Sequence, residues 1–329
     1  MKTTRRIIFA VMALTLIITC TLSFASCKKD DGKYTVGIIQ LVDHEALDAA
    51  TQGFKDALIE ELGEENVTFD YQNAAGSADT CGTIANTLVS KNVDLIMANA
   101  TSALQAAANA TVKIPILGTS ITDYATALDI KDFSGTVGGN ISGTSDLAPL
   151  KEQAKIIKEM FPDAKNIGIL FCSAEPNSQY QSNVIKPELE AMGYTVTEYK
   201  FTDTNDVTAV TQAAAAASDV IYIPTDNTAA SCTETIYGAM TGKKTPIVAG
   251  EEGICKGCGV ATLSISYYDL GYATGKMAAK ILKGEANISD MPIEYASATT
   301  KKYNPIICAD LGITPPDGYV AIVMEEPAE

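Results

Sequence analysis

Two stretches of the chain place hydroxyl, amide or acid side chains between an apolar run and an Ala-rich segment. Residues 94–108 carry Thr101 and Ser102 at this point, and residues 219–231 carry Asp226. The first amides of a helix lack partners within the helix and carry partial positive charge, so each predicted helix start can hold an acceptor such as a carboxylate. Thr101 and Ser102 would bind a ligand carboxylate, and Asp226 would pair with a ligand ammonium group. The pattern predicts two facing sites for one small polar ligand.

Further polar residues follow other predicted strands and extend this candidate site. Asn177 and Ser178 suit either charged end of an amino acid, Glu251 or Glu252 could be a second partner of an amine, and Tyr124 could stack on an aromatic ligand. Helix capping is the alternative role at the helix starts, and the other residues could be ordinary loop or packing residues. The complete set of candidate ligand contacts is Gln40, His44, Thr101, Ser102, Asp123, Tyr124, Asn177, Ser178, Asp226, Asn227, Glu251 and Glu252.

The sequence lacks the patterns that catalysis requires. His44 is the only histidine, and no Gly-x-Ser-x-Gly elbow surrounds a serine. The glycines of residues 135–139 do not have the spacing of a dinucleotide site. Two adjacent acids, Glu251 and Glu252, do not specify two carboxylates that face one glycosidic bond. We therefore predict a binding protein without catalytic activity or a cofactor.

The cysteines do not predict a metal site. Cys255 and Cys258 are the only closely spaced pair outside the N-terminal region, and a structural zinc ion would need two further ligands that no spacing here supplies. The pair is predicted to be either reduced and structural or joined in a local disulfide.

The N-terminus has the pattern of an export signal. Arg5 and Arg6 precede a mostly apolar run, which ends in small residues just before Cys27. The apolar run is shorter than the roughly 20 residues of a membrane-spanning helix. We predict a signal peptide over residues 1–26, lipidation of Cys27 and a tether over residues 27–33, with a plain signal peptide and an incidental cysteine as the alternative.

The charge of the chain excludes some classes of partner. Its 329 residues carry a formal net charge of −16 at pH 7, and the acidic residues are dispersed. This balance argues against binding to nucleic acid and against adsorption to an anionic bilayer.

The order of predicted elements indicates a duplicated α/β architecture. Strands and helices alternate, which is typical of a doubly wound parallel sheet, and the series then restarts. The matching segments are 35–39 with 166–170, 67–71 with 195–201, 94–98 with 219–223, and 114–117 with 245–248.

We therefore predict two similar doubly wound lobes joined by a three-stranded hinge. The first lobe would comprise residues 34–141 plus 266–290, and the second residues 142–265 plus 291–329; a fifth strand of the first lobe is expected at Thr136–Val137. Ligands bind beyond the carboxyl ends of the strands in such sheets, so the polar turns would line the cleft between the lobes.

Several phrases together resemble one known family, the TrpX-like substrate-binding lipoproteins of ABC importers. The resemblance runs from about Tyr34 to the C-terminus. It rests on Leu47-Asp48-Ala49-Ala50, Gly53-Phe54, Ala100-Thr101-Ser102-Ala103, Glu175-Pro176-Asn177-Ser178, Pro224-Thr225-Asp226-Asn227-Thr228, Tyr267-Tyr268-Asp269-Leu270-Gly271 and Thr274-Gly275.

The resemblance implies the type I periplasmic-binding-protein fold and an extracytoplasmic receptor that delivers a small solute to a membrane permease. For characterised members it implies aromatic amino acids as ligands. The chain departs from many relatives at Thr119–Tyr124, where they carry Asp-Pro, and at the loop Glu251–Gly253.

We therefore expect a monomeric, lipid-anchored receptor of an ABC importer that closes by hinge motion on an amino acid with an aromatic or large apolar side chain. The alternatives are a binding protein for another small solute, such as a sugar or nucleoside, and a surface sensor that signals to a partner.

Overall fold

Two parallel sheets form the framework of the protein. The computed structural model describes residues 33–240 and 244–324. The predicted signal peptide, the lipidation site Cys27 and all of the tether except Lys33 lie outside the described residues. None of the helices among the described residues is long and apolar enough to cross a bilayer.

The first half of the chain alternates strands and helices. Its elements are β1 (Tyr34–Gln40), α1 (Glu45–Leu62), β2 (Val67–Asn73), α2 (Ala78–Ser90), β3 (Leu95–Asn99), α3 (Thr101–Ala110), β4 (Ile116–Ile121), α4 (Tyr124–Leu128) and β5 (Ile141–Ser145).

The second half repeats the alternation. Its elements are α5 (Leu150–Met160), β6 (Asn166–Cys172), α6 (Pro176–Ala191), β7 (Thr195–Phe201), α7 (Val207–Ala217), β8 (Val220–Ile223), α8 (Asn227–Ala230), α9 (Thr233–Ala239), β9 (Ile247–Ala249), α10 (Glu252–Cys258) and β10 (Ala261–Ser264). The C-terminal part adds α11 (Tyr267–Leu282), β11 (Glu294–Tyr295), β12 (Thr300–Tyr303), α12 (Pro305–Leu311) and β13 (Val320–Ala321). Short 3-10 turns occur at Glu64–Asn66 and Ile288–Asp290.

The two sheets share the order of four parallel strands, and the second also contains the antiparallel pair β10 with β12. The first has the strand order β11-β5-β4-β3-β1-β2 and defines the first lobe; the second has the order β13-β12-β10-β9-β8-β6-β7 and defines the second lobe. The order β4-β3-β1-β2 therefore recurs as β9-β8-β6-β7, and all of these pairs are parallel. The predicted fold class, two similar parallel-sheet lobes, is confirmed.

The fifth strand differs from the predicted one. It is Ile141–Ser145 rather than Thr136–Val137. The earlier segment is a loop that includes glycines with positive φ at 135, 138 and 139, a conformation that interrupts an extended strand.

The chain crosses between the sheets three times. The crossings follow β5, β10 and β11, and they lie between residues 145 and 150, 264 and 267, and 295 and 300. Because β5 and β11 both pair within the first sheet, the first and third crossings start a few residues beyond the boundaries that the sequence suggested at 141 and 290.

The core of the first lobe lies on both faces of its sheet. The central strands β1 and β3 are buried, as expected for parallel strands covered by helices on both sides. Leu88 and Leu104 of α2 and α3 belong to the core on one face, and Phe54 and Met277 of α1 and α11 to the core on the other. Helices α1 and α11 approach closely at Gly271. A Cβ atom at this position would overlap the carbonyl oxygen of Ala50, so only glycine fits there.

Candidate functional site

The carboxyl ends of the strands of both sheets carry most of the predicted site residues, and two contacts join the lobes there. His44, in the turn after β1, has its Nε2 atom 3.2 Å from Oδ1 of Asn227, the first residue of α8. Lys256 of α10 lies 3.2 Å from the carboxylate of Glu45 at the start of α1. The two lobes therefore touch along the edge where the strands end.

The start of α3 is open to an acceptor. Its N-cap residue, Ala100, has φ +89° and provides no side-chain cap. The amides of Thr101 and Ser102 open the helix and have no acceptor within it. Thr101 is buried and Ser102 half-buried. This geometry suits a ligand carboxylate, the role that the sequence predicted for this turn.

Ser120, at the end of the neighbouring strand β4, was missed by the sequence analysis. It has φ +56° and is 6% exposed, and among the described residues its Oγ has no hydrogen-bond partner. Strand β4 pairs with β3, which leads directly into α3. A buried hydroxyl without a partner is uncommon in proteins and often indicates a bound molecule or water. The signal available in the sequence was the polar strand end Thr119-Ser120, which we noted only as a departure from relatives.

Gln40 organises the turn after β1. The side chain is fully buried; its Nε2 donates to Asp48 at 2.6 Å and to the Val42 carbonyl at 3.1 Å, and its Oε1 accepts from Thr51 at 2.6 Å. These partners hold the turn that presents His44. The direct ligand contact predicted for Gln40 stays a prediction.

Asp226 caps α8. Its carboxylate is 1% exposed and accepts from the amides of Ala229 at 2.8 Å and Cys172 at 2.7 Å. Burial, reinforced by the charge of Glu175, raises its pKa to about 8, although these amides act in the opposite direction. Both oxygens thus have partners within the second lobe, which is the capping role considered as the alternative. Contact with a ligand ammonium stays a prediction.

Glu175, which the sequence analysis did not select, organises the same corner of the second lobe. Its carboxylate is 6% exposed and accepts from the amide and side chain of Thr228 at 2.7 Å each and from the side chain of Asn227 at 2.7 Å. Asn177 donates to Glu175 and to the Thr225 carbonyl, both at 3.2 Å. The structure therefore brings the predicted residues Asn177 and Asn227 together around one carboxylate.

Ser178, Glu251 and Glu252 have partners within the second lobe. Ser178 is fully buried and interacts with Asp226 and Asn177. Glu251 caps α10 by accepting from the amides of Gly253 at 2.6 Å and Ile254, and burial raises its pKa to about 7. Glu252 pairs with Lys302 at 2.5 Å.

Asp123 and Tyr124 lie at the start of α4. Asp123 caps this helix by accepting from the amide of Thr126 at 2.7 Å. Tyr124 is 2% exposed, and its hydroxyl lies 3.0 Å from the Gly118 carbonyl and 3.1 Å from the Thr144 carbonyl. Its ring belongs to the core of the first lobe, and the stacking on an aromatic ligand predicted for Tyr124 stays a prediction.

His44 has opposing influences on its pKa. Burial lowers the pKa, whereas the hydrogen bond with Asn227 and the charges of Glu175, Asp48 and Asp43 act to raise it. The net effect is a lowered pKa, so the neutral imidazole is favoured when the lobes are in contact.

Asp146 and Tyr267 form a further buried pair that was not predicted. Asp146 directly follows β5, is 3% exposed, and accepts from the Tyr267 hydroxyl at 2.9 Å and from Thr122 at 3.0 Å. Burial raises its pKa. A polar residue after a strand was the available signal, but the strand itself had been predicted at 136–137.

Two cavities lie near the contacts between the lobes, and neither is lined by Thr101, Ser102, Ser120 or Asp146. One of about 520 Å³ is lined by residues of both lobes and of the crossing segments, among them Ala46, Glu251, Ile265, Tyr267 and Tyr295. A second of about 250 Å³ lies around His44 and includes Ser231 and Lys256. The larger cavity falls within the size range of small-molecule sites.

The thiols of Cys255 and Cys258 are free and buried in α10, and burial raises the pKa of both. In the part of the chain that the structure describes, no cluster of three or more His, Cys, Asp or Glu side chains is arranged to hold a metal ion.

Comparison with known proteins identifies relatives along nearly the whole chain. The profile of the family described as ABC transporter substrate binding protein matches residues 35–325. A tyrosine-binding protein of Clostridioides difficile (strain R20291) is 34% identical over 303 residues, which cover 89% of this chain and 87% of that protein.

Two solved structures are similar at nearly equal identity. The ABC domain in complex with L-Trp from Streptococcus pneumonia has 34% identity and a TM-score of 0.84, and the match covers 88% of this chain and 100% of that one. The ligand-free, open structure of a substrate binding protein with adhesive properties from Clostridium difficile has 36% identity and a TM-score of 0.68, with 89% and 100% covered. The structure as a whole is therefore more similar to the ligand-bound relative than to the ligand-free, open one.

The geometry and the comparisons agree on the class of the protein. Polar strand ends of two similar lobes face each other, and the matching family consists of proteins that bind a solute rather than transform it. The chain belongs to the family of ABC transporter substrate-binding proteins.

Proposed function

We propose that this protein is an extracytoplasmic, lipid-anchored receptor that binds one amino acid with an aromatic or large apolar side chain between its lobes. It would act as a monomer and deliver the ligand to a membrane permease of an ABC importer. Lipidation at Cys27 would keep it at the membrane surface, provided that more than one acyl chain is attached.

The observation that carries the proposal is the uncapped start of α3 next to Ser120. The amides of Thr101 and Ser102 and the hydroxyl of Ser120 are donors at neighbouring strand ends, and a carboxylate is the acceptor that such donors favour. Every α-amino acid carries a carboxylate, so these residues would bind the part of the ligand that all amino acids share.

The relatives support the choice of side chain. One is named as a tyrosine-binding protein, and another was solved with L-Trp; each is 34% identical to this chain. Both ligands are aromatic amino acids.

The contacts between the lobes support a closing motion. The pairs His44 with Asn227 and Glu45 with Lys256 connect residues of different lobes and can form only when these strand ends approach. A ligand that touches both lobes would stabilise this closed arrangement over an open one.

A binding screen tests the ligand. Isothermal titration calorimetry of the purified full chain in detergent should give a selective signal with L-tyrosine or L-tryptophan, and none with glucose, galactose or nucleosides. Saturation by sugars or nucleosides alone would eliminate the proposed ligand class.

Mass spectrometry tests the anchor. The chain expressed in a bacterial host should begin at Cys27 and carry acyl groups, and Cys27→Ala should release the protein from the membrane fraction. Cleavage elsewhere without acylation would leave a plain signal peptide.

A further inference from the structure

Four buried acids lie close to the strand ends that face the cleft, and three of them are already matched by backbone amides. Glu175 accepts from the amides of Asn227 and Thr228, Asp226 from those of Cys172 and Ala229, and Glu251 from those of Gly253 and Ile254. Amides at a helix start stabilise a buried carboxylate without any ligand. Only Asp146 remains to be explained.

The side-chain partners of the Asp146 carboxylate are hydroxyl groups. Its oxygens accept from two hydroxyls, those of Thr122 and Tyr267, at 3.0 and 2.9 Å, and its only amide partner in the described part of the chain is the backbone of Asp146 itself rather than the start of a helix. The charges that act on it include no lysine or arginine among the described residues. A carboxylate that is 3% exposed and lacks a cation is costly, because desolvation disfavours its charged form. Burial accordingly raises the pKa of Asp146.

The position of Asp146 connects it to both lobes. It follows β5, where the chain leaves the first lobe, and Thr122 lies just beyond the end of the neighbouring strand β4. Tyr267 begins α11, where the chain returns from the second lobe, and Thr225 of the second lobe interacts with the Tyr267 hydroxyl. Tyr267 also lines the larger cavity.

The spacing along β4 places this group near the proposed carboxylate site. Thr122 follows Ser120 by two residues, so a partner of Asp146 and the unpaired hydroxyl of Ser120 both come from the end of β4. An α-amino acid carries its ammonium and carboxylate groups on one carbon atom. Its binding site therefore needs an acceptor and a donor at this short separation.

We propose that the Asp146 carboxylate is the counter-ion of the ligand's ammonium group and that the hydroxyls of Tyr267 and Thr122 hold it in position. The ammonium supplies the cation that this buried acid lacks. The inference rests on the proposed function, because it requires a ligand with an ammonium group. It assigns the role that the sequence suggested for Asp226 to a different residue.

The test compares each amino acid with its analogue that lacks the amino group. The probes are L-tyrosine with 3-(4-hydroxyphenyl)propionate and L-tryptophan with 3-indolepropionate, titrated into the full chain in detergent. The measured quantity is the ratio of the two affinities. The wild-type ratio should be about 30-fold or more, because losing one partner of a buried charge pair is strongly unfavourable.

Asp146→Asn should reduce this ratio to nearly one, mainly by weakening binding of the amino acid. Tyr267→Phe removes the hydroxyl but leaves the Asp146 carboxylate in place, so it should reduce the ratio partially. This variant provides the test if Asp146→Asn does not fold. Asp132→Asn is the matched control, since it makes the same chemical change at an exposed acid outside the site, and it should leave the ratio unchanged.

Three outcomes overturn the inference. A wild-type ratio that survives in both Asp146→Asn and Tyr267→Phe excludes Asp146 as the counter-ion. A ratio that collapses in Asp226→Asn instead assigns the ammonium to Asp226. Failure of the wild-type chain to bind either amino acid removes the proposed function and this inference with it, an outcome distinct from the first two.

Discussion

The imidazole Nε2 of His44 and the side-chain oxygen of Asn227 lie 3.2 Å apart and join the two lobes. The side-chain nitrogen Nδ2 of Asn227 donates to Glu175 at 2.7 Å. The side-chain oxygen Oδ1 of Asn227 is therefore the atom that faces His44. An oxygen only accepts, and Nε2 must therefore carry the proton. Glu175 in this way selects the tautomer that joins the lobes.

This contact predicts a pH dependence of ligand binding. Burial lowers the pKa of His44 in the closed arrangement below its ordinary value of 6.5, despite the nearby charges of Glu175, Asp48 and Asp43. A histidine exposed in the open form would bind a proton more readily, so acid favours opening. Affinity for L-tyrosine, measured by calorimetry, should be full above about pH 6.5 and should fall as the pH drops below that value.

The variant His44→Gln retains a donor but does not titrate. Its affinity for L-tyrosine should fall less than that of the wild type between pH 7 and pH 5. Equal slopes in the two proteins would mean that His44 does not control the closing equilibrium.

Ser120 and Ala100 give a paired test of the carboxylate site. Both residues have positive φ, +56° and +89°, which glycine tolerates. Ser120→Gly also removes the unpaired hydroxyl, so affinity for L-tyrosine should fall about tenfold, as expected for one hydrogen bond to a charged group. Ala100→Gly removes no polar atom and should leave affinity unchanged. Thermal unfolding should show no loss of stability in either variant, and equal affinities would contradict the assigned role of Ser120.

Tyr124 should contribute to stability rather than to ligand binding. Its buried hydroxyl lies within hydrogen-bond distance of the Gly118 and Thr144 carbonyls. Tyr124→Phe should lower the free energy of unfolding by about 1 kcal/mol, because these carbonyls lose a donor. Urea unfolding measures this change, with Tyr295→Phe, whose side chain is 59% exposed, as the control. A large loss of ligand affinity at unchanged stability would restore the predicted stacking role.

The free energy of unfolding should decrease as the pH rises from 6.5 to 8.5. The folded-state pKa values of Asp226 and Glu251 are raised, to about 8 and about 7, mainly by burial. The folded protein then binds more protons than the unfolded chain above the ordinary carboxyl pKa range, so the free energy of unfolding decreases as pH rises. Between pH 6.5 and pH 8.5 we expect a decrease of about 1 kcal/mol or more, measured by urea unfolding.

Glu251→Gln should make this decrease smaller without abolishing it, because the glutamine does not titrate whereas Asp226 still does. Glu64→Gln, a change at an exposed acid, should leave the profile as it is in the wild type. A profile that does not fall from pH 6.5 to pH 8.5 would show that both acids are already ionised in the folded protein over this range.

The sequence was sufficient to predict the fold because short strand segments of the first lobe recur, in the same order, in the second lobe. Each strand of the first lobe has a counterpart with similar apolar residues, such as Ile38 and Ile169, and these pairs occupy equivalent places in the two sheets. The fifth strand was misplaced because Ile141–Ser145 is rich in hydroxyl residues and Gly, whereas Thr136–Val137 has a β-branched pair. Pairing with β4 and β11 outweighs this local preference.

The site was harder to predict because capping residues and ligand contacts are the same residue types. Asp226 and Glu251 cap helices of the second lobe, a role decided by the amides that tertiary structure brings to them. Glu175 and Asp146 acquire their partners from segments far away in sequence, Thr228 and Tyr267 respectively. No local pattern distinguishes a carboxylate that has amide partners from one that does not.

The packing of α11 against α1 also constrains the order in which the chain can fold. Residues 267–282 complete the apolar face of the first lobe beside Phe54, yet they follow the strands β6 to β10 of the second lobe along the chain. Most of the second lobe thus lies between two parts of the first in the sequence, and an emerging N-terminal segment leaves Phe54 and Leu58 uncovered until α11 has been synthesised. Completion of the first lobe must therefore await almost the whole polypeptide, so the two lobes cannot fold one after the other in chain order.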